Sequence, residues 1–158
     1  DYQGVRFGGA PFVDVGSPFK GLTKTERGNS PVSLSALTDG TSHTSLASEV
    51  VVGQGRDLRG FSWWGDAAGF EAFLTPNSSN PDVIFSPYYC QSGRPNPPCV
   101  AATDELLDTY AARSRHPGGV NAAMADGSVR FIKDSIDLET WRALSTSRGG
   151  EAISSDAY

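Results

Sequence analysis

The stretch 114–131, which reads SRHPGGVNAAMADGSVRF, constrains the fold more than any other part of the chain. Asp126-Gly127 is the dipeptide favoured at the centre of a two-residue hairpin of the primed type, where both central residues take positive φ. Val129 and Phe131 alternate with Ser128 and Arg130, the period of a strand with one buried face. The segment predicts a β-hairpin with His116 just upstream of its first strand. Beyond it, Asp137 is placed to cap a helix in which Leu138, Trp141 and Leu144 recur on one face and pack against the sheet. The tail at 149–154 reads as a turn and a last edge strand.

The rest of the chain is punctuated by turns. Gly and Pro together make up 28 of 158 residues and hydrophobic residues only 38%, so loops must be abundant around one modest core. The first thirty residues read as loops around short strands at 3–7 and 12–15. Residues 33–37 suit one helical turn that stops at Asp39-Gly40. The clearest central strand is 46–53, because Val50-Val51-Val52 is β-branched on both faces. Residues 61–64 and 69–74 look like the next two strands, 75–102 like a long polar excursion, and 103–110 like a short helix. The predicted architecture is a single α+β domain over 1–158: mainly antiparallel β-sheet with long loops and a short C-terminal helix.

Three motifs also carry a resemblance. The segment 35–49, with Asp39-Gly40-Thr41-Ser42-His43-Thr44 and Glu49, is similar to a family segment I-x-DGTSNT-L-x-x-GE. His116, nine intervening residues and Asp126-Gly127 resemble the same family's signature. The stretch 136–151 resembles its closing ID-x-x-T-W/Y-R-A-L-x-T-x-x-GGE. On these motifs, met in the right order over 34–155, the chain resembles the DUF1559 family of prepilin-like proteins abundant in planctomycete bacteria. The resemblance implies a pseudopilin-like head, a structural or interaction module whose partners are protein subunits of a filament or secretion-type assembly. It departs from the family pattern in two places. The chain opens Asp1-Tyr2-Gln3-Gly4 rather than with a basic leader and long apolar helix, and His43 stands where the family usually has Asn. With no run of eighteen or more apolar residues, the expectation is a head without its anchor helix and without membrane contact.

Charge and cysteine usage narrow the setting. A net charge of −5 and a pI near 4.9, with no basic stripe, argue against nucleic acid as a partner. Ten of the thirteen basic residues are Arg, which favours fixed carboxylate pairs, although genomic base composition would produce the same bias. Cys90 and Cys99 bracket a loop rich in Pro and Gly. A disulfide there would stabilise by roughly 2–3 kcal/mol. The alternatives are two free thiols or a metal pair, for which the C-x8-C spacing is unsuited. A disulfide implies the periplasm or the cell exterior.

Candidate chemistry rests on few groups. His43, Glu49, His116 and Asp126 occupy the motif blocks. Imidazoles and carboxylates of this kind suit zinc with an open position for water, while Glu49 and Asp126 with backbone carbonyls suit calcium. A zinc site would make the chain a small metal-dependent hydrolase, acting on a small ester such as a phosphoester. Against this, His116 and Asp126 lie at opposite ends of one strand, so contact requires Pro117-Gly118-Gly119 to fold back. The plainer reading has His116 bonded to backbone and Asp126 suited to its turn. No Gly-x-Ser-x-Gly elbow or phosphate loop is present. Trp63-Trp64, near Phe61, Phe70 and Phe73, should point to opposite faces of a strand. One ring enters the core, and the other is left for a sugar, for a neighbouring subunit, or for burial under the excursion.

Overall fold

The computed structural model describes residues 33–61, 69–104, 106, 108–154 and 158. The strands expected at 3–7 and 12–15, and residues 62–64 of the strand expected at 61–64 with its Trp63 and Trp64, lie outside the described residues. The described chain is α+β, mainly antiparallel, with one short helix.

A three-stranded antiparallel sheet, β1 (Ser45–Ser48), β4 (Gly119–Met124) and β5 (Val129–Lys133), runs in the order β1-β4-β5. The β4–β5 hairpin forms where expected, with Ala123 opposite Val129 and Gly119 opposite Lys133, but the buried residue of β5 is Ile132, and Val129 and Phe131, the apolar positions of the expected buried face, point outward and are exposed. Its turn differs from the two-residue form. Gly127 N–H donates to Met124 O, Met124 N–H donates to Ser128 O, and Gly127 alone takes positive φ (85°) while Asp126 does not. This is the three-residue loop with a left-handed glycine after a type I turn. It asks for Gly at one position only, and Asp126 is free to serve its turn with its carboxylate.

One face of this sheet, Val120, Ala122, Met124 and Ile132, builds the main core with Ile136, Trp141 and Leu144. The helix α1 (Leu138–Leu144) forms as predicted. Asp137 accepts from Thr140 N–H at its start, and Trp141 and Leu144 are wholly buried with Leu138 packed beside them. The Trp141 ring stacks on Phe70 at 5.6 Å. The predicted helical turn is present as a 3-10 turn at Leu34–Ala36.

Several expectations are corrected. The strand placed at 46–53 ends at Ser48, and Val50 to Val52 leave the sheet, with Val52 exposed. Glu49 O accepts from Arg113 N–H there, so the valines run beside a loop rather than between strands. Residues 69–74 are turn rather than strand, and the described part of 103–110 is a tight turn closed by reciprocal Thr103–Leu106 bonds rather than a helix. The long excursion is not without structure. It contributes a parallel pair, β2 (Asp82–Ile84) with β3 (Cys99–Ala101), and Thr109 bridges to Val83 on the other side of β2. The tail at 149–154 forms no strand. Gly150 takes a φ of 79° and turns the chain so that Gly149 and Gly150 N–H both donate to the Asp39 carboxylate, at 2.8 and 2.9 Å. Convergent successive amides make a small anion cradle, and an internal carboxylate fills it.

Cys90 and Cys99 are joined in a disulfide, so the chain has the bond that an oxidising environment produces. No helix among the described residues is long and apolar enough to cross a membrane.

Candidate functional site

The four residues singled out from the motifs fall into two pairs at opposite ends of β4. At its start, His116 Nε2 donates to Glu49 Oε1 at 3.0 Å. Glu49 is fixed further by Asn121, whose backbone N–H reaches Oε2 at 2.7 Å and whose side-chain amide reaches Oε1 at 3.3 Å. Desolvation is the largest single influence on the Glu49 carboxyl and pushes its pKa upward. The Asn121 and His116 contacts outweigh it and hold the group below its usual range. Half of the His116 side chain is exposed and its loop is pinned through Ser114, whose hydroxyl donates to Gly119 O and accepts from His116 N–H.

At the other end, Asp126 Oδ1 accepts from the Ser128 hydroxyl (2.6 Å) and the Ser128 N–H (2.8 Å). Those two contacts, the hydroxyl first, lower its pKa. The 39–44 loop docks on this turn: Ala125 N–H donates to Thr44 O and Asp126 N–H to Thr41 O. His43 lies here too, with Nδ1 3.1 Å from the Ser42 hydroxyl and its ring edge-on to Tyr158 at 6.4 Å. Asn121, which holds Glu49, lies five residues before Asp126, roughly 15 Å along the strand, which separates the two pairs. The structure therefore brings Glu49 to His116 but brings neither to Asp126. Among the described residues no group of three or more His, Cys, Asp or Glu side chains is placed to hold a metal ion. The plainer reading accounts for Asp126 as a turn residue, while His116 bonds a side chain and not only backbone.

The most buried polar chemistry lies elsewhere and was not singled out from sequence. Asp82, Arg113, Arg59 and Asp57 form a network in which every member is at least nine-tenths buried. Arg113 Nε and Nη2 grip the Asp82 carboxylate, with Nη2 at 2.8 Å, and Ala111 N–H adds a third donor. Arg59 Nη1 reaches Asp82 Oδ2 at 2.7 Å, while its Nε and Nη2 reach Asp57. Its remaining donors reach Pro97 O and Pro98 O, so all five guanidinium hydrogens are used. Burial, the largest influence on Arg59, lowers its pKa, but the bonds to Asp57 and Asp82 outweigh it and the pKa is raised. Two cations and two anions cancel. The network ties β2, the disulfide loop and the 111–113 segment into one body. The Arg-over-Lys bias was its only signal in the sequence, because only a planar fork matches carboxylates in this way.

Asn77 completes the link to the hairpin. At a φ of 52° it accepts from Ser114 N–H and donates to Gly119 O and the Asp134 carboxylate. An open groove of about 420 Å³ lies over this junction, lined by Asn77, Ser78, Pro97, Arg113, Arg115 and His116 among others. Its buried polar groups already have internal partners, and it encloses no convergent set of catalytic groups.

The outward face of the sheet mixes apolar side chains with Asn121, which stands opposite Phe131, and with Lys133. Val129 is 67% exposed and Phe131 46%, and they stand on the face shared with Ala123 and the exposed Ala47.

Comparison with known proteins bears on the motifs. A family model described as "Protein of unknown function (DUF1559)" matches residues 6–139. No curated protein and no solved structure matches the chain.

Proposed function

We propose that this chain, which belongs to the DUF1559 family, is a structural or interaction module of a pseudopilin-like assembly outside the cytoplasm, in the periplasm or at the cell exterior. The observation that supports this reading most is the outward face of the β1-β4-β5 sheet, where, among the described residues, Ala47, Ala123 and Val129 make an apolar row and Phe131 stands one pair further along, opposite Asn121. Its motif residues point the same way. Glu49, Asp126 and Asp39 each spend their carboxylates on internal donors, which is the use expected of a rigid platform rather than of a reacting centre. The disulfide fits the compartment.

The hydrolase reading gains nothing from the described residues, since a catalytic zinc takes three protein ligands and among them Glu49 with His116 supplies two. The test is site-specific photo-crosslinking in the source cell. A photoreactive residue at Ala47 is expected to give discrete adducts with envelope subunits, while one at exposed Arg56, away from the sheet, gives none. Equal labelling at both positions, or none at either, overturns the proposal.

A further inference from the structure

The outward face has an unsatisfied backbone beside it. Met124 N–H donates to Ser128 O and Asp134 N–H to Gly118 O, so the alternation of an antiparallel ladder turns Ser128, Arg130, Ile132 and Asp134 toward β4. Val129, Phe131 and Lys133 then direct their main-chain groups to the other side, where β5 is, among the described residues, the last strand of its sheet. Among the described residues, the N–H and C=O of Val129 and Phe131 and the N–H of Lys133 have no partner. The same residues carry the exposed side chains. Soluble proteins blunt such an edge with charge, proline or a bulge. Here Lys133 stands at one end and Arg130 points to the opposite face, over the Tyr158 ring, so the outward positions Val129 and Phe131 carry no charge of their own.

We propose that β5 is an acceptor edge that takes an extended segment of a partner protein as a fourth, antiparallel strand. The inference rests on the interaction-module reading for where that partner comes from. The edge itself specifies the segment. A partner strand would place apolar side chains beside Val129 and Phe131 and a carboxylate beside Lys133, which has no acid paired with it among the described residues. Read from its N-terminus, the segment is acidic-x-apolar-x-apolar. The size of the edge favours a segment over a rigid second copy. Five residues extend about 17 Å, and a strip of that length hides a few hundred Å², well under the ~1,000 Å² of an independently stable complex. Strand addition supplies main-chain bonds instead, and repeated tethering in an assembly raises the effective concentration.

The probe is the acetylated and amidated peptide TETITVT, added to the full oxidised chain and followed by amide hydrogen exchange in NMR spectra. In the free chain, Val129, Phe131 and Lys133 amides are expected to exchange fast while Arg130 and Ile132 are protected. At millimolar peptide, exchange at Val129 and Phe131 should slow by about tenfold, and a peptide N-methylated on its edge-facing amides should have no effect. Phe131→Pro, which removes an outward N–H and no ladder bond, should abolish the protection at Val129. Unchanged exchange with the unmodified peptide, equal protection by the N-methylated one, or amides at 129 and 131 already protected in the free chain overturns the proposal. A discrete cross-link at Ala47 together with unchanged exchange would remove the edge and leave the module standing. Failure of both would remove the module as well.

Discussion

Replacing Asp82 with Asn tests how the two halves of the fold are held together. The substitution keeps the shape of the side chain but leaves one acceptor oxygen, and it turns an amide toward guanidinium donors. Four donor contacts to the carboxylate, from Arg113 Nε and Nη2, Arg59 Nη1 and Ala111 N, then compete for that oxygen. Arg59 and Arg113 would share Asp57 as their counter-ion, so one positive charge would stay buried without compensation. Removing one member of a buried pair costs about 3–5 kcal/mol. That is a large part of the roughly 5–15 kcal/mol that holds a domain folded. For a chain of this length each kcal/mol moves the midpoint by about 2–4 °C, so thermal melts of the oxidised protein should fall by about 6–20 °C. Adding Arg113→Met to Asp82→Asn should restore part of the loss, because the stranded charge goes with it. A shift of less than about 1 kcal/mol for Asp82→Asn, or a double variant as unstable as the sum of the singles, would refute the reasoning.

Trp141→Ala should destabilise by about 3–5 kcal/mol in urea titrations, since the ring is wholly buried and stacked on Phe70. Changing both Cys90 and Cys99 to Ser should cost about 2–3 kcal/mol, seen as an equal loss on reduction of the wild-type chain. Glu49 has its pKa lowered on folding, so its contribution is full above the unfolded value near 4.3 and fades as pH falls through the folded one. The stability gap between wild type and Glu49→Gln, measured by urea midpoints from pH 7 to pH 3, should therefore narrow below about pH 4.

The sequence was most legible where local chemistry and burial agree. Asp137, Trp141 and Leu144 announced the helix because the cap and the apolar face coincide, and Asp126-Gly127 announced the hairpin because few other dipeptides turn so tightly. The turn type escaped because a glycine at one left-handed position and a pair at two leave the same residues in the sequence. Val50 to Val52 misled in the other direction. Their propensity is for strand, but Glu49 hands its carbonyl to Arg113 rather than to a ladder, and tertiary bonding overrode preference. The tail at 149–154 misled likewise, since its amides serve Asp39, more than a hundred residues away. The ion network joins positions 57, 59, 82 and 113, a separation that no local pattern records. Of the candidate site, the Glu49–His116 pair was within reach of motif reading. The distance from it to Asp126 was visible only as strand arithmetic, which already counted against a shared metal.

The outward sheet face is the centre of this account, and the most direct measurement is the share of the chain found in high-mass envelope complexes when Val129 and Phe131 are both replaced by Lys. Val129 is mostly exposed and Phe131 is half-exposed with its ring against Gly119, so the variant should still fold, with a midpoint lowered by no more than about 4 °C. The account predicts that the folded variant is lost from those complexes. A variant that folds and enters them as fully as the wild-type chain would contradict it.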